Sequence, residues 1–375
     1  MRTGITARHG GNLAASAAAL GVRPSQLLDA SASLAPLHPR VAWAAARAGA
    51  TLAGLRAYPD RDQQALRAAM ARLHGLDPDW VLPGNGAAEL FTWAARDAAA
   101  AGTSALPAPG FADYRRALAC WGGRCCAWPL PLTWDGAFPM PLPAPPAAAV
   151  LWMTNPHNPT GQLWSRDSIR ALLADHPLVI VDEAFLPLVP GGEDQSLIPL
   201  LADHSNLVVV RSLTKLYGLA GLRLGYALAE PERLARWAHW RDPWPVNGLA
   251  VALGQALLQS PKTYRRHCAW VQRWCAREGT WLTQRLAALE GPAGRLTIRP
   301  SAANYLLVRG SCSLDPLRRS LEQRQHVLLR DCRSFDGLDD RWLRIGLQDH
   351  RGNRRLLQAL AREWGRQQPI SGPAP

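Results

Sequence analysis

Only two lysines occur in this chain, Lys215 and Lys262. Lysine is the side chain whose amine can form a Schiff base with a carbonyl compound, so such chemistry must fall to one of them. Lys262 follows Ser260-Pro261 and reads as a turn-like surface position. Lys215 ends the run Ser212-Leu213-Thr214-Lys215, just after an apolar stretch, and is followed by Gly218, Gly221 and Arg223. Ser212, Thr214 and Arg223 could together supply donors and charge to a phosphate. Taken alone, the motif fits an ordinary solvated lysine equally well.

Three other motifs could do complementary chemistry. In Asp182-Glu183-Ala184-Phe185 a carboxylate could pair with a protonated ring nitrogen and keep that ring an electron sink. An acidic pair capping the next element would look the same. The run from Asn155 to Gly161, with Asn-Pro steps at 155–156 and 158–159, is a rigid turn. The Asn158 amide could donate to a phenolate oxygen, and His157 reads as a turn residue. In Gly84-Asn85-Gly86-Ala87-Ala88-Glu89, the small residues Gly86, Ala87 and Ala88 let backbone N–H groups at a helix start face an anion. That stretch has neither Walker nor GxGxxG spacing, which argues against a dinucleotide site.

All four motifs follow short apolar runs. These runs (80–82, 148–153, 178–181, 207–211 and 222–228) show no polar alternation and are separated by helical patterns such as 62–73. That arrangement predicts a mostly parallel sheet covered on both faces, with ligands at the carboxyl ends of its strands. Residues from about 249 to 285 predict one long helix, and strand pieces at 305–308 and 342–345 among helices predict a smaller α+β unit. The expected organisation is an N-terminal arm that is part of the small domain (1–40), a large α/β domain (41–248), a small C-terminal domain (249–365) and a disordered tail (366–375).

With 375 residues, 48% of them hydrophobic, the chain can bury a sizeable core. No apolar run approaches the ~20 residues that span a bilayer, and the first residues lack a signal-peptide core. A cytoplasmic protein without membrane contact is expected. The seven cysteines show no CxxC spacing, so neither a disulfide framework nor a metal site is expected. The net charge of +13 is dispersed and almost wholly arginine, unlike a phosphate-tracking groove, so no nucleic-acid partner is expected.

Taken in order, these motifs resemble fold-type-I pyridoxal-phosphate enzymes, the aspartate aminotransferase-like fold of the class I/II aminotransferases, in the histidinol-phosphate aminotransferase branch. The resemblance runs from His9 to about Asp349. It implies pyridoxal 5'-phosphate as cofactor, Lys215 as the Schiff-base lysine, Asp182 as partner of the pyridine nitrogen and Asn158 as donor to the ring oxygen. It assigns the cofactor phosphate to Ala87, Ser212, Thr214 and Arg223. Tyr114, in Pro109-Gly110-Phe111-Ala112-Asp113-Tyr114, matches the aromatic that stacks on the ring, and Arg344 the arginine that grips a substrate carboxylate.

Within the branch, His9-Gly10-Gly11-Asn12, Phe185 and Leu329-Arg330-Asp331-Cys332 resemble threonine-phosphate decarboxylases of cobalamin biosynthesis. The implied reaction is loss of CO2 from L-threonine O-phosphate to give (R)-1-amino-2-propanol phosphate. The alternative is an aminotransferase acting on histidinol phosphate or another amino acid with 2-oxoglutarate. Arg330 and His9 are then candidates for the substrate phosphate, and Tyr58 would reach the site of a second subunit in a homodimer. The segment 29–36 departs from the family pattern: it has lost the asparagines usual there, and Ser33 stands where one would frame the substrate.

Overall fold

A strand whose consecutive residues are all apolar must be covered on both sides. The computed structural model describes residues 10–37, 39, 56–291 and 294–366, and such strands form its centre. After a short strand β1 (Leu28–Asp29) come β2 (Val81–Asn85), β3 (Ser104–Ala108), β4 (Cys125–Pro129), β5 (Val150–Thr154), β6 (Leu178–Asp182), β7 (Leu207–Ser212) and β8 (Leu224–Leu228). These last seven make one sheet, ordered β2-β8-β7-β6-β5-β3-β4. Val179, Val181, Leu207 and Val209 enter one hydrophobic core. Leu178, Ile180, Val208 and Val210 enter another. Because successive side chains point to opposite faces, the two cores lie on the two sides of the sheet.

The sheet is mostly parallel, as expected, and β8 is the exception, antiparallel to both β2 and β7. The link from Ser212 to Leu224 carries only a five-residue helix and one 3-10 turn. It is too short to cross back along the sheet, which a parallel neighbour would require. Strands β3 and β4 are not apparent in the sequence because proline interrupts both. Pro129 sits on the edge strand, and β3 meets β5 only at Ser104 and Ala105, so Pro107 removes no bond to β5.

The single helix expected at 249–285 is two, Gly248–Leu257 and Pro261–Ala287. Proline cannot continue the first helix but suits the opening turn of the second. Lys262 therefore lies in that first turn, exposed, rather than in a loop.

Next come the hairpin strands β9 (Glu290–Gly291) and β10 (Gly294–Arg295), then β11 (Thr297–Ile298), β12 (Tyr305–Arg309), β13 (Val327–Leu328), β14 (Arg330–Asp331) and β15 (Trp342–Gly346). An antiparallel sheet runs β11-β12-β15-β14, while β13 pairs in parallel with β1. The segment after Gly10 is thus tied to the C-terminal layer. The boundary expected between residues 40 and 41, and the tail beyond 366, lie outside the described residues. Among the described residues no helix is long and apolar enough to cross a membrane.

The end of β6 separates two adjacent acids. Asp182 faces a cavity. The next residue, Glu183, lies 2.7 Å from the Arg211 guanidinium, and both are buried. Glu193 at 2.8 Å and Ser196 at 3.0 Å complete that arginine's partners. Removing one member of a buried ion pair strands the other's charge, whereas removing both does not. Arg211→Leu should therefore lower unfolding stability by about 3–5 kcal/mol. Arg211→Leu combined with Glu183→Leu should recover most of that loss, as urea unfolding midpoints of the set would show.

Candidate active site

Polar residues appear where the apolar strands end. Thr154 and Asp182 are register partners at the ends of β5 and β6, and Asp182 is aligned with Val210 of β7, two residues before Ser212. Beyond these ends lies a cavity of about 210 Å³. Of the residues expected at a site, it gathers Ser33, Ala87, Ala88, Asn158, Asp182, Ser212, Thr214, Lys215, Arg223, Arg330 and Arg344. They come from eight separate stretches of chain.

Lys215 sits in the short helix after β7. Burial, with the nearby Arg344 and Arg223 charges, brings its amine down to about 8 against the opposing pull of Asp182. A fair fraction is then neutral and nucleophilic near neutral pH. Its Nζ lies 5.2 Å from the centre of the Phe185 ring. Burial pushes the Asp182 carboxyl up to about 6, opposed by hydrogen bonds from Tyr114 and the Ala184 N–H and by the Lys215 charge.

An anion cradle lies nearby. The helix Ala87–Ala101 begins at Gly86 with no side-chain cap, so its first N–H groups are free for a ligand. Gly86 does not line the cavity itself but has φ +74°, and a Cβ there would meet the Arg223 guanidinium at 2.5 Å. Glycine lets that guanidinium lie against the turn. Ser212 and Thr214 contribute hydroxyls beside Ala87 and Ala88. The cradle suits a phosphate, and a phosphate-bearing ring carbonyl compound would reach Lys215 and Asp182 from it.

At the other end stand two arginines. Arg330 and Arg344 are direct register partners on β14 and β15, both buried. Arg344 donates to Asn158 Oδ1 and, at 3.2 Å, to the Ser31 carbonyl. Its Nε has no partner among the described residues. Since arginine only donates, Asn158 must present Oδ1 to it, which leaves the Asn158 amide N–H groups for the cavity. Arg330 bonds Ser334 Oγ and lies over Phe335, 5.2 Å from the ring centre. Burial and the Arg344 charge bring Arg330 down to about 10 against the opposing pull of Cys332 and Asp331.

The expectation for Tyr114 needs correction. It is 1% exposed and does not line the cavity. Its hydroxyl donates to Asp182 Oδ2 at 2.8 Å from beneath. Phe111 lines the cavity instead, because it opens the helix Ala112–Ala119 while Tyr114, about one turn on, is packed against Phe91 and Trp152. His157, read as a turn residue, is buried with its Nε2 2.7 Å from the Pro109 carbonyl. Burial brings it down to about 4, so it is neutral.

Tyr58 is 78% exposed and stacks on Trp244, away from its own chain's cavity. His9 lies outside the described residues. Gly10 does line the cavity, and a Cβ there would clash with the Ser31 carbonyl at 2.4 Å, so the glycine pair packs against the segment 29–36. Ser33 is wholly buried and its hydroxyl has no partner among the described residues. Phe91, Phe111 and Phe335 were not legible as site residues, since an isolated phenylalanine signals core in any sequence.

Comparison with known proteins agrees with this geometry. The family model "Aminotransferase class I and II" matches residues 26–360. A threonine-phosphate decarboxylase of Salmonella typhimurium is 37% identical over 365 residues, covering 94% of this chain and 95% of that protein. A histidinol-phosphate aminotransferase of Symbiobacterium thermophilum is 36% identical over 328 residues, covering 84% and 85%. The crystal structure of the histidinol-phosphate aminotransferase of Sinorhizobium meliloti in complex with pyridoxal-5'-phosphate superposes with a TM-score of 0.79 at 21% identity, covering 97% of this chain and 98% of that one. The chain is therefore a member of the class I and II aminotransferase family, whose enzymes depend on pyridoxal phosphate.

Proposed function

We propose that this enzyme removes the carboxylate of L-threonine O-phosphate as CO2 and releases (R)-1-amino-2-propanol phosphate, a step of cobalamin biosynthesis. The observation that carries the reading is the cross-strand pair Arg330 and Arg344 at one end of the cavity. Like charges directly opposite on a sheet are destabilising, and two adjacent guanidiniums call for two anions. L-Threonine O-phosphate has a carboxylate and a phosphate a few bonds apart. Histidinol phosphate has the phosphate alone and would leave Arg344 without an anionic partner. The similarity to the Salmonella decarboxylase, over 94% of this chain, supports the same choice. An aminotransferase is the second reading, favoured by 36% identity to such an enzyme and by a Lys215–Asp182 pair that serves either reaction.

Bound pyridoxal phosphate supplies a carbonyl for the substrate amine and a ring that accepts the electron pair left at Cα. Lys215 would hold it covalently, and its amine, once freed by the substrate amine, would be placed to return a proton to Cα. Asp182 would hold the proton on the ring nitrogen, Asn158 would donate to the ring oxygen, and Ala87, Ala88, Ser212, Thr214 and Arg223 would bind its phosphate. Arg344 and Arg330 seat the substrate's two anions and so fix which bond at Cα breaks. Phe111 and Phe185 line the cavity with apolar surface that excludes water. A cytoplasmic homodimer is part of this reading, with exposed Tyr58 reaching the second subunit's cavity.

Product analysis decides between the two reactions. Aminopropanol phosphate and CO2 should form from L-threonine O-phosphate without any oxo acid, whereas glutamate appearing only with histidinol phosphate and 2-oxoglutarate together would overturn the proposal. Arg330→Gln should raise KM for L-threonine O-phosphate by about 10–100-fold, the worth of a charged hydrogen bond, and leave KM for unphosphorylated L-threonine nearly unchanged. Stopped-flow capture of cofactor by the cofactor-free enzyme should speed up with rising pH and level off above about 8, where the Lys215 amine is neutral. A rate still climbing past pH ~10 would mean an ordinary lysine.

A further inference from the structure

Tyr114 spends its only hydroxyl proton on Asp182, and a third residue completes the arrangement. Thr154 Oγ1 lies 2.6 Å from Tyr114 Oη, and Tyr114 Oη lies 2.8 Å from Asp182 Oδ2. The tyrosine ring cannot turn away, being enclosed by Phe91 at 5.1 Å, Phe111 at 5.5 Å and Trp152 at 5.2 Å between ring centres. An ionised carboxylate only accepts, so Tyr114 donates to Asp182 and Thr154 must then donate to Tyr114. The other carboxylate oxygen, Oδ1, accepts the Ala184 N–H at 3.0 Å. Each oxygen of Asp182 thus has one protein donor and keeps lone-pair capacity for the cavity.

We infer that Thr154 and Tyr114 form a one-way hydrogen-bond relay that keeps Asp182 ionised and aimed at the cavity, making both of them positioning residues for the cofactor's ring nitrogen. The inference rests on the proposed role of Asp182. Without the relay, burial acts on Asp182 with less opposition and the carboxyl takes up a proton at higher pH. The charged and titratable groups that act on Asp182 are Tyr114 from its helix, Lys215 from the helix after β7, and adjacent Glu183. Asp182 in turn acts on Tyr305 of β12. Burial and the Asp182 charge hold the Tyr114 hydroxyl well above the ordinary tyrosine range, so it stays a donor. Each part has a distinct consequence: Tyr114→Phe removes the donor to Asp182, and Thr154→Val removes only the donor behind it.

The test uses holoenzyme reconstituted with pyridoxal phosphate carrying ¹⁵N in its ring, with ring protonation followed by NMR across pH. In the parent the shared proton should sit on the ring nitrogen opposite an ionised Asp182, giving a ¹⁵N shift near that of a protonated ring. In Tyr114→Phe the carboxylate should become more basic by about one pH unit, the size of a single charged hydrogen bond, so that it competes for that proton and the ¹⁵N shift moves toward that of the neutral ring. Thr154→Val should move it the same way by less, and Thr154→Ser should restore the parent profile. Asp182→Asn controls for the underlying role: a ring that stays protonated as in the parent would refute the reading of Asp182 itself. If Asp182→Asn abolishes protonation while Tyr114→Phe and Thr154→Val both keep the parent ¹⁵N shift, the relay alone is refuted. Should Tyr114→Phe not fold, Thr154→Val and Thr154→Ser decide the question by themselves.

Discussion

A sheet apolar on both faces leaves polar chemistry no place along its strands. Residues at β5, β6 and β7 belong alternately to two hydrophobic cores until the strands end, and there Thr154, Asp182 and Ser212 appear. Parallel pairing brings these ends to one edge. The pleat then acts once more, sending Asp182 to the cavity and Glu183 to Arg211 on the far side. One acid becomes part of the site and its neighbour part of the scaffold, through a half-turn of backbone.

Electrostatics in the cavity follow from that separation. Among the described residues Asp182 is its only acidic lining residue, set against Lys215, Arg223, Arg330 and Arg344. Arg330 and Arg344 are buried, Lys215 is half-buried and Arg223 is exposed, and burial beside like charges registers as a lysine near 8 and an arginine near 10. On the proposed reading, anionic ligands would relieve this crowding of charge at both ends: a phosphate between Ala87 and Arg223, and a doubly anionic substrate between Arg330 and Arg344. The chain's overall charge of +13 has little to do with this, being dispersed among arginines elsewhere.

Much of the design was legible from sequence because each motif follows an apolar run, and the order of runs and motifs is itself informative. The places that were not legible share a physical cause: the deciding quantity was orientation or length rather than residue type. Phe111 and Tyr114 are both aromatic and three residues apart, and only the helix start decides which faces the ligand. Asp182 and Glu183 are chemically alike, and only the pleat tells them apart. Strands β3 and β4 were hidden by Pro107 and Pro129, which are harmless where they sit. The antiparallel β8 follows from a short connection whose length, not composition, sets its direction.

The same distinction explains why the cofactor is easier to infer than the reaction. In the proposed function Lys215 and Asp182 would serve decarboxylation and amino transfer alike, and the choice between them would lie in how substrate is seated against the ring. The ring would rest on the ends of β6 and β7, while both substrate arginines rise from β14 and β15. The segment 28–36 joins these two supports: Ala35 N donates to the Lys215 carbonyl, Gly346 N donates to the Ala30 carbonyl, and β1 pairs with β13. The Ser31 carbonyl holds Arg344 from the same segment. On the proposed reading, this stretch of alanines and serines sets the relative seating of ring and substrate through its backbone. Small side chains carry almost no motif signal, so a segment that acts through its backbone is one that a sequence says least about.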